Sequence, residues 1–310
     1  MPWRCRSVMD ARMEFIRLIK EQGVGVADAA RRCSVSRPTA YKWLKRYDEQ
    51  RGKESLEDKP RAPHLIPHKT PEEVEERVLQ LRRRYTTWGP RKLRAWLARE
   101  APTVAWPAPS TIGDMLDRAG LTATRRLRRR TPPYTAPLCH ATEPNEVWSI
   151  DFKGQFRLGN GRYCYPLTIT DNASRMLLGV YALEATSSVL ARRCLEDLFE
   201  RCGLPSAIRS DNGAPFASRG YLGLSALSAW WLTQRIRHER IEVGHPEQNG
   251  RHERMHLTLK QETTRPAAYD FDAQQERFDR FRKYFNEDRP HEALQMQTPA
   301  GVHKPSSRRY

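Results

Sequence analysis

Residues 241–260 read IEVGHPEQNGRHERMHLTLK, and this stretch changes from a strand-like to a helical pattern at its centre. Its apolar, β-branched start breaks at Gly244, His245 and Pro246. A helical spacing begins near Gln248, with Glu253 in the first turns. Because this helix presents a single carboxylate, a metal site here requires two more acids from elsewhere in the chain.

Two upstream acids each end a strand-like run. Asp151 closes the run 146–150, and Asp211 closes the run 206–210 and leads into Asn212 and Gly213. An acid after a strand is a weak indication by itself, because such acids commonly cap turns. The shared context strengthens the assignment, since the motifs WSIDF, RSDNG and HPEQNGRHE occur in this order.

These motifs resemble the catalytic core of insertion-sequence transposases and retroviral integrases, the DDE superfamily with a ribonuclease-H-like fold. The resemblance covers roughly residues 145–260. It implies that Asp151, Asp211 and Glu253 are the catalytic residues and the ligands of two Mg²⁺ or Mn²⁺ ions per active site. One departure is the segment 212–252, whose 41 residues exceed the family's usual spacing between the second and third acids.

The chemistry of such a site explains the residue types. Two divalent cations about 3.5–4 Å apart can clamp the attacking and leaving oxygens of an in-line displacement at phosphorus. Mg²⁺ prefers carboxylate oxygens and keeps several waters, so no Cys or His is required. We expect Asp151 and Asp211 side by side at the centre of the sheet, with Glu253 reaching them from the helix. Glu247 is the competing acid, but it stands in the turn.

The N-terminal residues 10–48 contain three helical patterns. Ser36 is the expected N-cap of the third helix, and Ala40, Trp43 and Leu44 are placed to fill a small core. Helix, tight turn and basic helix is the layout of a helix-turn-helix module, so residues 1–50 are predicted to bind DNA. A plain three-helix bundle with a basic surface is the alternative. The residues expected to contact DNA are Ser36, Arg37, Thr39, Tyr41, Lys42 and Lys45.

A second helical module lies between two predicted linkers. Residues 51–69, rich in charge, Pro and Gly, predict the first linker. Residues 70–121 repeat the three-helix layout, either as a second helix-turn-helix module or as a helical adaptor. Residues 122–142 form a basic linker, whose five arginines within 125–130 are expected to contact phosphates.

Strand-like patterns begin near residue 145, and residues 143–267 are predicted to form the core. Three antiparallel strands precede helix, strand, helix, strand and helix, which is the element order of a ribonuclease-H-like fold. Residues 268–310 form a C-terminal helical tail. The predicted fold class is multidomain, with N-terminal all-α helix-turn-helix modules followed by an α/β ribonuclease-H-like (integrase) core of five strands with flanking helices.

Four residues around Glu253 are expected to contact DNA as well. Gln248 and Asn249 lie in a polar segment that we expect to form a flexible loop touching the DNA end. Arg254 and Lys260 follow on the helix, and both are predicted to contact phosphates.

Three other polar residues receive different interpretations. Asp171 ends a predicted strand before Asn172-Ala173-Ser174, where it is expected to cap the turn, or alternatively to support the site. His252 and His256 are interpreted as polar helix residues near DNA, because hard-metal chemistry does not ask for them.

Composition favours a nucleic-acid partner. The net charge is +17, and residues 1–130 hold 30 Lys+Arg against 16 Asp+Glu, whereas residues 131–310 hold 24 against 21. A basic front half is typical of DNA-binding proteins. The sequence shows no membrane span or secretory signal, and the six scattered cysteines predict ordinary thiols. We therefore expect a cytoplasmic, nucleoid-associated protein.

Together these features predict a transposase that binds element ends and catalyses metal-dependent DNA cleavage and strand transfer. Its expected partner is double-stranded DNA, of the element ends and of the target, and the protein is expected to act as a homo-oligomer on DNA. No membrane or small-molecule substrate is expected. The alternatives are a catalytically silent DNA-binding regulator or decayed transposase, and a purely hydrolytic nuclease, against which two DNA-reading modules argue.

Overall fold

A computed structural model of the protein describes residues 7–50, 53–58, 69–122, 138, 140–218, 223–242 and 245–310. Contacts divide the chain into two compact units, Met1–Lys69 and Thr70–Tyr310. None of the described helices is both long and apolar enough to cross a membrane. The predicted arginine run within 125–130 lies outside the described residues.

The first unit contains the three predicted helices. Ser36 forms the expected cap, since its Oγ accepts a hydrogen bond of 3.4 Å from the Thr39 backbone N–H. Ala40 is fully buried, which lets the third helix approach the other two closely. The helices are α1 (Val8–Lys20), α2 (Val26–Arg32) and α3 (Arg37–Gln50).

The predicted linker 51–69 is wrong in its first part. A 3₁₀ turn spans Lys53–Leu56, and Leu56 is fully buried in the core of the first unit. Arg12 fixes this turn by donating from Nη1 to the Leu56 carbonyl at 2.7 Å. Because burying the Leu56 side chain is favourable, the start of the predicted linker packs as part of the helical core.

The second unit holds eight further α-helices and six strands among its described residues. The helices are α4 (Glu72–Arg84), α5 (Pro90–Glu100), α6 (Pro109–Arg118), α7 (Ser188–Cys202), α8 (Ala226–Thr233), α9 (Gly250–Thr263), α10 (Phe271–Glu287) and α11 (Pro299–Val302). The strands are β1 (Val147–Phe152), β2 (Phe156–Arg157), β3 (Tyr163–Asp171), β4 (Leu177–Leu183), β5 (Ala207–Ser210) and β6 (Arg237–Arg240).

The sheet confirms the predicted element order. The five main strands run β4–β3–β1–β5–β6, with β4, β3 and β1 antiparallel and with β5 and β6 parallel to β1. The first strand is interrupted, because β1 ends at Phe152 and the two-residue β2 resumes the pairing with β3. The core therefore has a sixth, minimal strand beyond the five predicted.

Side chains alternate between the two faces of the sheet, so that one face is apolar and the opposite face carries a polar patch. Ile150 and Ile169 pack in the apolar cluster with residues of α7 and α8. The alternate positions Asp151 and Thr168 point to the opposite face, where α9 and α10 pack. The alternation of side chains along β1 therefore places Asp151 on the face of the sheet that α9 covers.

The second helical module packs directly on the core. Trp88 is fully buried, and its Nε1 donates a hydrogen bond of 2.6 Å to the Tyr284 hydroxyl of α10. Tyr85 stacks on both rings, with centroid distances of 4.1 Å to Trp88 and 5.4 Å to Tyr284. Thr87 Oγ1 donates to Glu262 of α9 at 2.6 Å. These contacts hold α4–α6 against the helices that carry the site.

We expect Tyr284→Phe to lower the free energy of unfolding by about 1–3 kcal/mol, because it leaves the buried Trp88 N–H without its acceptor. Chemical denaturation of the full chain measures this change. Tyr269→Phe is the matched control, since Tyr269 is 70% exposed. Equal stability of the two variants would show that the Trp88 contact does not hold the module.

Candidate active site

The parallel pairing of β1 with β5 aligns two of the predicted acids. Trp148 is paired with Ile208, and Ser149 with Arg209. Asp151 lies three positions past Trp148, and Asp211 lies three positions past Ile208. Continuing this register places the two carboxylates side by side at the carboxyl ends of neighbouring strands, which lie about 4.8 Å apart.

A close backbone approach fixes Asp211 just after β5. The Gly213 N–H donates to Asp211 Oδ1 at 3.1 Å. A Cβ atom on Gly213 would lie only 3.0 Å from Asp211 Oδ2. The Asp-Asn-Gly sequence therefore suits this turn, because a larger residue after Asn212 would press on the carboxylate.

Two buried histidines anchor α9, the helix that carries Glu253, to strand β3. His252 and His256 are 1% and 3% exposed, which corrects their interpretation as polar helix residues near DNA. They contact Thr168 and Thr170 of β3. Residues four apart on a helix rise about 6 Å and residues two apart on a strand about 6.8 Å, so the two pairs match in length.

The hydroxyl of Thr168 makes three contacts that determine the histidine tautomers. It donates to the Asp151 carbonyl at 3.1 Å, because a carbonyl can only accept. It must then accept from Nε2–H of His252 at 2.7 Å and from Nε2–H of His256 at 2.6 Å. One proton and two lone pairs are thereby all used.

The second ring nitrogens therefore carry lone pairs. Burial lowers the pKa of both histidines, that of His252 to about 3, so each ring is neutral and bears one proton. His252 Nδ1 accepts from the Thr170 hydroxyl at 2.8 Å. His256 Nδ1 instead faces Asp151 Oδ2 at 3.7 Å. The lone pair of His256 Nδ1 and the Asp151 carboxylate thus face each other at the centre of the site.

The charged form of the Asp151 carboxyl group is destabilised by its surroundings. Burial, and after it the neighbouring Asp211 and Glu253, raise its pKa to about 7, although Lys153 and a hydrogen bond from the Phe152 backbone act in the opposite direction. This repulsion indicates that Asp211 and Glu253 lie close enough to act electrostatically on Asp151, and the role of the three acids as catalytic residues stays a prediction. Three converging carboxylates are a donor set that suits a divalent cation, which would relieve this repulsion.

A mixed donor set is also present. Asp151, His252 and His256 bring ligand atoms within 4.8 Å of one another. His252 is already saturated, because Thr168 and Thr170 use both of its nitrogens. The donors that remain are the Asp151 carboxylate and His256 Nδ1. The sequence analysis set His256 aside as a metal ligand, although its i+4 spacing from His252 was a visible signal.

Asp171 is a turn cap, as predicted. Its carboxylate accepts from the backbone N–H groups of Asn145 at 2.9 Å and Ser174 at 2.8 Å. Burial favours its neutral form, but hydrogen bonds from His303, Ser174 and Asn145 outweigh burial and lower its pKa. Asp171 therefore holds the β3–β4 turn as a structural carboxylate.

The predicted DNA-reading side chains of the first unit lie at the surface of α3. Arg37, Tyr41, Lys42 and Lys45 are exposed, and Ser36 and Thr39 share a hydroxyl contact of 2.8 Å in the cap. Their contact with DNA stays a prediction.

The predicted DNA-contacting residues before and after Glu253 differ in how accessible they are to DNA. Glu247 lies in a 3₁₀ turn, Pro246–Asn249, and α9 begins only at Gly250. Asn249 is 5% exposed, and Gln248 Oε1 accepts from the Glu242 N–H at 2.8 Å, so this conformation does not present Asn249 to DNA. Arg254 and Lys260 are exposed on α9.

Family comparisons agree with this geometry. Models described as integrase core domain match residues 141–246 and 234–299. Together these two matches span residues 141–299, so this part of the chain is an integrase core domain. Models described as homeodomain-like domain match residues 7–56 and 39–116, which confirms the helix-turn-helix prediction for the N-terminal part. The integrase core implies the superfamily of polynucleotidyl transferases.

Individual relatives come from insertion elements and retroviruses. An uncharacterized protein of insertion element IS407 from Burkholderia multivorans is 28% identical over 226 residues, which cover 72% of this chain and 78% of that protein. An uncharacterized protein of insertion element IS476 from Xanthomonas euvesicatoria is 27% identical over 237 residues, or 76% of this chain and 66% of that protein. A chain of the simian T-cell lymphotropic virus intasome aligns with 16% identity and a TM-score of 0.46, covering 74% of this chain and 75% of that chain.

We expect the metal-free protein to lose stability as pH rises, because the folded state holds the Asp151 proton up to a pKa of about 7 whereas the unfolded state releases it near 3.8. Asp151→Asn cannot ionise. Its advantage in melting temperature over the wild type, measured in EDTA, should grow between pH 5 and pH 8 and then level off.

The control is Asp197→Asn on α7, whose carboxylate is 58% exposed. It should show no such growth. A melting difference for Asp151→Asn that is the same at every pH would contradict the raised pKa of the buried Asp151 carboxyl group.

Proposed function

We propose that this chain is a DNA transposase that binds element ends and catalyses metal-dependent strand cleavage and strand transfer. The observation that carries the proposal is the convergence of three acids. Asp151 and Asp211 are aligned by the β1–β5 register, and Glu253 is held near them by an anchored helix. Acids that converge at the carboxyl ends of parallel strands suit phosphoryl-transfer chemistry.

The metal ligands in this proposal are Asp151, Asp211 and Glu253, which would hold two Mg²⁺ or Mn²⁺ ions. Bound ions of this kind activate a water or DNA 3′-hydroxyl as nucleophile and stabilise the leaving 3′-oxygen. His256 Nδ1 lies where it can add a nitrogen ligand beside Asp151, a donor that Mn²⁺ accepts more readily than Mg²⁺ does.

Other residues would position the helix and the DNA. Thr168 holds α9 through both histidines, so that Glu253 stays near the strand acids. Lys153, which lies close enough to lower the Asp151 pKa, is a cation available to a DNA phosphate and was missed in the sequence. Arg254 and Lys260 would contact phosphates farther along α9.

The N-terminal modules would supply sequence recognition. The exposed face of α3 suits the DNA major groove, with Arg37, Tyr41, Lys42 and Lys45 toward the bases and phosphates. Transposition joins two element ends, so we infer a homo-oligomer on double-stranded DNA. Such a protein would act in the cytoplasm at the nucleoid.

The test is a strand-transfer assay on linear DNA that carries candidate element ends, with Mg²⁺ or Mn²⁺. We expect cleavage at the 3′ ends and joined products from the wild type. Asp211→Asn should lower both by at least about 10³-fold, since it removes a proposed metal ligand and leaves the turn in place. The control is Asp272→Asn, an exposed acid in the first turn of α10.

Two outcomes would overturn the proposal in different directions. Tight, sequence-dependent DNA binding without metal-dependent cleavage would leave a silent DNA-binding regulator. Cleavage without joined products, on ends where the modules bind, would leave a hydrolytic nuclease.

A further inference from the structure

A cavity of about 260 Å³ lies beside the acid site, on another face of α9. Its walls come from the second helical module, the β3–β4 turn, α9 and the segment after α10. Arg251, Arg254 and Met255 line it from α9, and Thr170 lines it from β3. Thr170 also donates to His252, so the cavity and the acid site share one wall.

Five cationic side chains converge on this cavity, against two carboxylates. The cations are Lys92, Arg175, Arg251, Arg254 and Arg289, and the carboxylates are Asp171 and Glu292. Both carboxylates are engaged elsewhere. Asp171 caps its turn, and Glu292 pairs with Arg91 at 3.5 Å. The cavity therefore carries an excess of positive charge.

Several of these cations lack partners within the described part of the chain. Arg175 has Nε and Nη1 buried without a hydrogen-bond acceptor. Its backbone lies in the left-handed region, with φ of 61°, although arginine has a Cβ atom. Arg175 also lines the cavity, and a strained backbone beside a guanidinium with two unsatisfied N–H donors is typical of a ligand site.

Three of the other four cations also lack partners, whereas Arg289 pairs with Glu262 at 3.5 Å. Lys92, Arg251 and Arg254 form no side-chain hydrogen bond or ion pair with any described residue. Burial and the nearby Arg289 lower the pKa of Lys92 to about 8, as expected for a cation crowded by others. His291 contributes a third buried nitrogen without a partner, Nε2.

A divalent cation would be repelled from such a site, and an apolar ligand would leave the guanidinium donors unsatisfied. A guanidinium presents parallel N–H groups that match two oxygens of a phosphate. A phosphate and a few ordered waters fit the volume, since one water takes about 30 Å³.

We infer that this cavity is a phosphate-binding site, with the guanidinium of Arg175 as its principal donor and Lys92, Arg251 and Arg254 around it. The phosphate would join elements that are distant in sequence, because α5, the β3–β4 turn and α9 each contribute a cation. Its source would be either a backbone phosphate of bound DNA or a free phosphate monoester.

The test is a calorimetric titration of the full-length protein with inorganic phosphate in EDTA, with sodium chloride at matched ionic strength as the reference. We expect saturable binding by the wild type and by Arg193→Gln, an exposed arginine of α7. Arg175→Gln should weaken binding at least tenfold. Lys92→Gln should weaken it as well, which keeps the test valid if Arg175→Gln fails to fold.

A second titration, of labelled duplex DNA in EDTA, identifies the source. If a DNA phosphate occupies the cavity, Arg175→Gln weakens DNA binding and free phosphate competes beyond its ionic-strength effect. If a free phosphate is the ligand, Arg175→Gln loses phosphate binding and keeps DNA affinity. No saturable phosphate binding by the wild type, or equal binding by Arg175→Gln, would overturn the inference. Neither readout depends on strand transfer.

Discussion

The position of α9 depends on a single hydroxyl group. Thr168 Oγ1 donates to the Asp151 carbonyl and accepts from both buried histidines, so one side chain ties the strand acid to the helix that carries Glu253. Buried polar groups of this kind are destabilising unless every donor and acceptor is used. Here each hydrogen bond requires the others, which restricts the helix to one register on the sheet.

That register distributes three roles around α9. His252 and His256 face β3, Glu253 and Lys260 project on a second side, and Arg251 and Arg254 line the cavity on a third. These three sides are distinct because successive residues of an α-helix are rotated by about 100° around its axis. The acids on one side repel each other and suit a cation, whereas the cations on the other suit an anion. A DNA substrate with bound metal ions carries both charges.

Local patterns were sufficient to predict much of the fold, whereas the three acids were named from the resemblance to a known family and stay a prediction. Asp151 lies near the end of β1 and Asp211 directly follows β5, and the parallel pairing of these two strands follows from the order of the elements. The burial of His252 and His256 could not be predicted, because it depends on β3 meeting a helix more than 80 residues later in the chain. Arg175 was missed for the same reason.

The second helical module shows a similar limit. Its three helices were predicted from periodicity, but their attachment to the core depends on Trp88 reaching Tyr284 across 196 residues. Leu56 lies in a segment whose composition is typical of a linker, yet one apolar side chain is enough to bury it. Composition describes a segment on average, whereas packing is decided by single residues.

We propose that Asp151, Asp211 and Glu253 form one divalent-cation site beside His256. Anomalous X-ray diffraction from crystals soaked in Mn²⁺ tests it most directly. The account predicts a manganese peak in contact with the carboxylates of both strand acids, at roughly 2.0–2.6 Å as for other hard cations. Manganese bound only by other residues, with Asp151 and Asp211 turned apart, would contradict it.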